Sequence, residues 1–424
     1  MKVAAAITVI LVFSAPAWSR AEPEASPSPP GSAETYEELP VLKASEILRT
    51  DVLTGLHHKV REDVPTYSGA NRFTIDSDFG VFEADGNAML LTRISEINAI
   101  ARLKEISRTD EYKNALLKAA KSPVRAAKQI IGDPMGTVEN AQKGIMKFMS
   151  SAGESLKGIG KTREANKYEG SKMQQVIGFS DAKRKMAISL GVDPYTSNSM
   201  LQQELEEIAW ASFAGGATFS LATLPIGGGA GIALTTTGIE SSLEDILRDE
   251  SATDLKISNR RALIAMGATD AEANSMLENA AFSPTAATAF VVNLKSLDGL
   301  ENRRAFIKAA GMNSSAESDA VFCVQTAALM SKLHHGEHRL AQITTLGHFP
   351  ICLGKDGTVI VALQWDYAAH TKLAADFAQA LALRFNDKPS RLVAISGMVS
   401  PQLRHELEAK GYTVQDRFMP GPLK

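Results

Sequence analysis

The sequence has 424 residues, of which 44% are apolar and 22% are charged. These proportions are ordinary for a folded protein of two or three domains, and they exclude a disordered, collagen-like or polytopic membrane chain. The formal net charge of −3 provides no general attraction to nucleic acid, and two cysteines are too few for a disulfide-rich scaffold.

Residues 1–21 have the layout of a secretory signal peptide. Lys2 gives a basic start, Val3–Phe13 form an apolar run, and small residues lead to possible cleavage sites after Ala17 and Ala21. The run is shorter than the roughly 20 residues that span a bilayer, so cleavage is expected instead of anchoring, and the site at Ala21 is preferred. The sequence therefore predicts an exported protein, periplasmic or secreted.

The next two segments are a linker and a small mixed segment. Residues 22–40 are rich in Pro, Ser and Glu, which predicts an extended linker. Within residues 41–112, apolar and polar side chains alternate over 71–77 and 80–85, and this alternation predicts a β-hairpin. A helical pattern follows from Ala88.

Residues 113–172 form a basic segment, with twelve Lys and Arg against five Asp and Glu, a net charge of +7. Apolar residues recur at steps of three and four from Val138 to Ile159, which predicts an amphipathic helix. One hypothesis is that this helix lies on an anionic membrane surface, and the alternative is that it packs on the rest of the protein. The candidate membrane contacts are Ile145, Phe148, Leu156, Lys143, Lys147, Lys157 and Lys161.

Residues 173–335 are predicted to be a helical domain. Ser283-Pro284 is typical of a helix start. The stretch 208–239 has no charged residue and is rich in Gly. Neither side of Pro225 has an apolar run long enough to span a membrane, so burial in the protein is favoured over a membrane-inserting hairpin.

Residues 336–416 are predicted to be a small α/β domain, followed by a flexible tail, 417–424. Three strand-like segments between 343 and 363 precede alternating helices and strands, and Ser400-Pro401 is a second typical helix start. The predicted fold class is mainly α, with a small N-terminal β-hairpin and a C-terminal α/β (α+β) domain.

Four short segments resemble a group of exported bacterial proteins of unassigned function. In chain order they read FGVFEADG (79–86), GVDPYTSN (191–198), RRALIAMGAT (260–269) and FSPT (282–285). The resemblance would extend from about residue 57 to 414. It implies a bacterial, periplasmic setting, but no activity and no site residues.

The sequence H-H-G-E-H at 334–338 contains H-x-x-E-H, the inverted zinc-protease motif. His334 and His338 have the ligand spacing, and Glu337 could serve as the base. Gly336 lies inside the motif, where a helix would tend to end. The alternative is a solvated, histidine-rich helix end, so these residues remain weak metal candidates and no cofactor is assigned.

Cys323 and Cys352 are the only thiols and are candidates for a disulfide in an oxidising compartment. The predicted bridge would join a helix of the helical domain to a strand of the α/β domain. The alternative is two separate buried thiols that pack as small apolar side chains.

These observations lead to two functional hypotheses. The first is an exported, non-catalytic scaffold or binding protein that associates peripherally with an anionic membrane surface or with an envelope protein, and not with nucleic acid. The alternative is an envelope hydrolase, metal-dependent in one version, that uses the C-terminal domain. Polar groups that converge in one pocket would favour the enzyme, whereas an apolar groove would favour the binding protein.

Overall fold

The computed structural model of the protein describes residues 35–121, 178–219, 240–388, 390–419 and 421–424. Within them, 52% of residues are helical and 19% are in strands, which form two five-stranded sheets and a two-stranded ribbon. The class is α+β. The prediction of a mainly α chain with only a small N-terminal hairpin was therefore wrong.

The N-terminal sheet consists of β1 (Val41–Lys43), β2 (His58–Val60), β3 (Asp63–Tyr67), β4 (Ala70–Ser77) and β5 (Gly80–Asp85). Two four-residue helices, α1 (Ala44–Ile47) and α2 (Thr50–Leu53), lie between β1 and β2.

All pairs in this sheet are antiparallel, and β4 contacts three partners. It pairs with β5 on one side and with β2 and β3 on the other, while β1 pairs with β3. The predicted hairpin is present as β4 and β5. The other strands were missed because they are three to five residues long, which is too short for a clear alternation, and β3 contains Pro65.

The described helices between the two sheets are α3 (Asn87–Ser107), α4 (Asp110–Lys121), α5 (Phe179–Ser189), α6 (Ser199–Gly215), α7 (Glu240–Asp249), α8 (Ala252–Ala265), α9 (Asp270–Leu277), α10 (Pro284–Lys295), α11 (Arg303–Asn313) and α12 (Glu317–His335).

Two of these helices connect the hydrophobic cores. The N-terminal half of α3 packs Leu90 and Ile94 under the N-terminal sheet, and its C-terminal half packs Leu103 against α4–α6. Most of α12 is buried; Val321 joins the core of the N-terminal sheet, and Phe322 joins the core shared with the C-terminal sheet. The start of α12 therefore lies where these two cores meet.

The C-terminal part contains β6 (Leu340–Leu346), β7 (Phe349–Gly354), β8 (Val359–Leu363), β9 (Tyr367–Ala368), α13 (Lys372–Arg384), β10 (Arg391–Ile395), β11 (Met398–Val399), α14 (Pro401–Ala409) and β12 (Thr413–Gln415).

The C-terminal sheet has the strand order β12-β10-β8-β7-β6. β6, β7 and β8 are antiparallel, whereas β8, β10 and β12 are parallel and are connected through α13 and α14. Beyond the carboxyl ends of β8 and β10 the chain forms a parallel ribbon, β9 with β11. In sheets of this kind, ligands bind outside the carboxyl ends of the parallel strands.

Both predicted Ser-Pro helix starts are confirmed. The hydroxyl of Ser283 accepts the backbone N–H of Ala286 at 3.0 Å, and α10 begins with Pro284. Ser400 accepts the N–H of Leu403 at 3.0 Å in the same way at the start of α14.

The two ends of the chain link the two sheets. Near the N-terminus, the N–H of Glu37 donates to the carbonyl of His370 at 2.8 Å, and the N–H of His370 donates to the Glu37 carboxylate at 2.6 Å. At the other end, Leu423 is buried and forms an antiparallel bridge with Leu48. In the tail 417–424, predicted to be flexible, residues 417–419 donate backbone hydrogen bonds to 395–397 of the C-terminal part, and Leu423 packs in the core of the N-terminal sheet.

Candidate functional site

A cavity of about 480 Å³ lies between the N-terminal sheet, the start of α12 and the C-terminal sheet. The turn between β3 and β4 forms one side, and the loop after β8 and the first turns of α13 form the other. Leu39, Tyr67 and Leu373 line it and are exposed. The volume is in the range of pockets that bind small molecules, roughly 300–1,000 Å³.

Four aromatic side chains form one wall of the cavity, called the aromatic wall below: Phe322, Phe349, Trp365 and Phe377. Phe349 is at its centre. Its ring centroid lies 5.3 Å from that of Phe377, 6.1 Å from that of Trp365 and 6.2 Å from that of Phe322, all edge to face. Edge-to-face packing is a favoured arrangement of aromatic side chains.

Asp366 joins the two sheets behind the cavity. Its Oδ2 accepts the backbone N–H groups of Asn71 and Asn87, both at 3.0 Å, and its Oδ1 accepts the side-chain amide of Gln364 at 2.9 Å. Burial raises the pKa of the Asp366 carboxyl to about 6, although these three hydrogen bonds act in the opposite direction. Because both of its oxygens accept hydrogen bonds from neutral donors, Asp366 serves as a structural link between the sheets.

The turn between β3 and β4 lies directly on Trp365. The carbonyl of Gly69 accepts the N–H of Asp366 at 2.7 Å, and Gly69 has φ +83°. A Cβ at this position would lie 2.4 Å from the Cδ1 atom of Trp365. Only Gly therefore allows the turn to approach the indole this closely.

Three charged side chains line the cavity: Arg72, Asp85 and Asp319. Arg72 and Asp85 are paired across β4 and β5, with 2.8 Å between Nε and Oδ1. Asp319 is 1% exposed, and its Oδ2 accepts the N–H groups of Ser315 and Ala316 at the start of α12. No basic side chain in the described ranges lies within ion-pair distance of Asp319. The lining therefore carries one negative charge without a cationic partner.

A second polar cluster, called the helix junction, is formed by Arg93, Glu96, Asp193 and Glu317. The Glu96 carboxylate is fully buried and accepts Arg93 Nη1 at 2.7 Å and Asn198 Nδ2 at 2.9 Å. Arg93 also lies 3.7 Å from Glu317. These contacts join α3, the loop before α6 and the start of α12.

Asp193 belongs to the same junction but touches no cation among the described residues. Its Oδ1 accepts the N–H of Tyr195 at 2.7 Å and the hydroxyl of Thr285. Burial is the main cause that raises the pKa of Asp193 to about 7, with smaller contributions from Glu96 and Glu317. Two of the segments that carry the resemblance, 191–198 and 282–285, thus meet here.

The metal candidates do not share one helix face. α12 ends at His335, so Glu337 and His338 lie beyond the helix. The Nδ1 atom of His334 accepts the N–H of Leu340 at 3.2 Å, which requires a neutral ring there, and burial lowers the pKa of His334. In the described part of the chain, no group of three or more His, Cys, Asp and Glu residues is arranged to hold a metal ion.

Cys323 on α12 and Cys352 on β7 are both fully buried free thiols in the structure. Burial raises the pKa of Cys352 to about 12 and also raises the pKa of Cys323, whose Sγ lies 3.8 Å from the Ser314 hydroxyl. Such thiols are poor nucleophiles at neutral pH. The disulfide between them stays a prediction.

Several candidate residues lie outside the described ranges. They are the membrane-contact candidates Ile145, Phe148, Leu156, Lys143, Lys147, Lys157 and Lys161, together with 220–239 of the uncharged stretch. The described beginning of that stretch is the C-terminal half of α6, where Ile208 is fully buried. Among the described helices, none is both long and apolar enough to cross a bilayer.

A scan against protein-family models found no match, and neither the curated proteins nor the solved structures that were searched include a match. The function is therefore inferred from the geometry of the cavity.

Sequence reasoning missed the residues that define this cavity. Trp365 and Asp366 directly follow the buried strand β8, at the carboxyl end of a parallel strand, and this position could have drawn attention to them. The sequence signal for Asp319 was weaker. It is an acidic residue in the first turn of a helix, and such residues usually cap the helix. No local pattern connects these residues to the β3–β4 turn, which lies about 250 residues before Asp319 and about 300 residues before Trp365.

Proposed function

We propose that this chain is an exported, non-catalytic binding protein that takes up a small, largely apolar ligand in the cavity between its two sheets. The observation that carries the proposal is the aromatic wall inside a cavity of about 480 Å³. Binding sites for small molecules are typically apolar clefts with a few oriented polar groups, and they favour interfaces between parts of a fold.

The state of the polar groups supports binding without catalysis. Asp366, whose pKa is raised, has both oxygens engaged by neutral donors and does not line the cavity. Thr371 and Gln364 line it, but the Thr371 hydroxyl accepts the N–H of Ala374, and the Gln364 amide donates to Asp366. These hydrogen bonds help to hold the walls of the cavity in place.

Fluorescence of the neutral dye N-phenyl-1-naphthylamine tests the proposal, because the dye brightens in an apolar site. The purified protein should bind it saturably. Ala374→Trp places an indole in the cavity from α13 and should weaken binding at least ~10-fold, the equivalent of ~1.4 kcal/mol. Gln379→Trp is the matched control, since Gln379 is exposed on the same helix and does not line the cavity.

Two results would count against the proposal. A wild-type protein that does not bind the dye, while its circular dichroism shows a folded chain, would remove it. Equal dye binding by Ala374→Trp and Gln379→Trp would show that the dye binds outside the cavity.

The membrane part of the hypothesis rests on the sequence of 113–172, of which the structure describes 113–121 on α4. If this segment holds the protein on anionic lipid, the mature protein should sediment with anionic vesicles, and less so at high salt. Changing Lys143, Lys147, Lys157 and Lys161 to Gln should abolish the salt-sensitive part. Absence of vesicle binding at low salt would leave packing on the protein itself as the explanation of the stripe.

A further inference from the structure

One charge in the cavity has no counter-ion. Asp319 is almost completely buried and lines the cavity, and no described Lys, Arg or His lies within 4 Å of its carboxylate. Its Oδ2 accepts two backbone N–H groups and the Ser315 hydroxyl, at 2.7–3.0 Å. The described residues provide no hydrogen-bond donor to its Oδ1.

The other two charged side chains of the lining form an ion pair with each other. Asp85 lies 2.8 Å from Arg72, whose guanidinium also lies over the Tyr67 ring at 5.6 Å. An anionic ligand would have to share Arg72 with Asp85 and lie beside the Asp319 carboxylate. A cationic ligand would instead add a counter-charge to Asp319, whose described partners at the helix N-terminus are neutral N–H and O–H groups.

The aromatic wall adds a second attraction for a cation. Phe322 is on the same helix as Asp319, three residues along, and its ring packs on Phe349, which in turn packs on Trp365 and Phe377. Ring faces attract organic cations by about 0.5–2 kcal/mol each, and most strongly where water is excluded. Carboxylate and rings together are the groups that recognise an ammonium ion attached to an apolar body.

We infer that the ligand of this cavity is an organic ammonium compound, whose positive group lies at Asp319 and whose apolar part packs on the aromatic wall. The inference rests on the proposed function, because it assigns a chemical class to the ligand of the same cavity.

Three competitors with the same ten-carbon chain test the inference by displacing N-phenyl-1-naphthylamine below their micelle concentrations. They are decyltrimethylammonium, decanol and decanoate. The cation should displace the dye at a concentration ~10-fold lower than decanol, and decanoate should be the weakest competitor. Asp319→Asn keeps a side-chain oxygen for the helix cap and removes the charge. It should abolish the advantage of the cation while the dye itself still binds.

Two further variants keep the test decisive if Asp319→Asn does not fold. Phe349→Leu retains an apolar side chain without the ring and should reduce the advantage of the cation ~3-fold or more, with little change for decanol. Arg72→Gln leaves Asp85 without its partner and should preserve or increase the preference for the cation.

The outcomes separate the inference from the function on which it rests. Equal displacement by the cation and decanol, or a cation advantage that survives Asp319→Asn, would overturn the inference while the apolar cavity still binds the dye. If decanoate displaced the dye more strongly than the cation, and Arg72→Gln abolished this preference, the cavity would be an anion-binding site instead. Absence of dye binding by the folded wild-type protein would remove both proposals.

Discussion

The cavity region and the helix junction each bury a carboxylate at a meeting point of distant segments, but they hold it differently. At the cavity, Asp366 accepts only neutral donors, two backbone N–H groups and one side-chain amide. At the junction, Glu96 accepts a guanidinium, an amide and the hydroxyl of Thr196. The difference teaches that the cavity region joins its parts without cations, so its walls remain apolar, while the junction depends on a charged pair.

Asp366 and Asp193, which have no cationic partner among the described residues, have raised pKa values. Burial raises the pKa of Asp366 to about 6 and that of Asp193 to about 7, because neutral donors only partly replace the lost hydration of a charged oxygen. Three substitutions can break or sharpen this comparison.

The largest effect is expected for Glu96→Gln. The amide leaves the Arg93 guanidinium, whose side chain is 13% exposed, with Glu317 at 3.7 Å as its described anionic partner and the Ser197 hydroxyl at 3.2 Å. Removing one partner of a buried ion pair costs about 3–5 kcal/mol of unfolding free energy. We expect the lower half of that range because the Arg93 side chain is partly exposed to solvent. Urea unfolding followed by circular dichroism measures this loss.

Lys43→Gln is the matched control for this experiment. It breaks an ion pair with Asp63 in which both side chains are about half or more exposed, so its cost should stay below about 0.5 kcal/mol. A similar loss for both variants would show that the junction does not depend on its charged pair.

Asp366→Asn should cost less, about 2 kcal/mol, because its donors are neutral. The amide keeps one acceptor but directs an NH₂ group either at the backbone N–H groups of Asn71 and Asn87 or at the amide of Gln364. The double variant Asp366→Asn with Gln364→Glu restores an acceptor opposite the new NH₂ group and should recover most of the loss. No recovery, measured by urea unfolding of both variants, would contradict the assigned hydrogen bonds.

The smallest effect concerns pH. The folded pKa of Asp193, about 7, lies above its ordinary value of 3.8, so the folded state binds the proton more tightly than the unfolded state does. Its contribution to stability is present below pH 4 and is lost as pH rises through 7. Because Asp193 is partly exposed, we expect the loss to be about 1–2 kcal/mol, less than the full pKa difference would give.

Asp193→Asn should remove this pH dependence, since an amide oxygen can still accept the N–H of Tyr195 and the Thr285 hydroxyl. Relative to the wild type, the variant should therefore gain unfolding free energy between pH 5 and pH 8. A difference between variant and wild type that is the same at both pH values would show that Asp193 does not titrate in this range.

The structure agrees best with the sequence where the signal is local. The hairpin of β4 and β5 shows a period of two, and the Ser-Pro pairs before α10 and α14 are helix caps that two residues suffice to define. The short strands β1–β3 carry too few residues for a period. They are strands because β4 offers them backbone partners.

The candidate site shows the same limit. The H-x-x-E-H motif is local and easy to find. However, α12 ends inside it, and the Nδ1 atom of His334 accepts a hydrogen bond from the N–H of Leu340. The cavity, in contrast, brings together Gly69, Asp319 and Trp365, which no spacing rule connects.

By itself, the sequence determined the helix starts, the central hairpin, the strand-helix alternation near the C-terminus and the chemical character of each segment. These depend on side-chain periodicity and capping, which act over a few residues. The tertiary structure alone decided that the segment around Glu37 and the residues near Leu423 connect the two sheets, that Asp366 links them and that Asp319 lines the same cavity as the aromatic wall. The residues that bury a carboxylate, or that donate hydrogen bonds to it, lie hundreds of positions away in the sequence. Only the packing of the whole chain therefore determines which carboxylate is desolvated and which forms an ion pair.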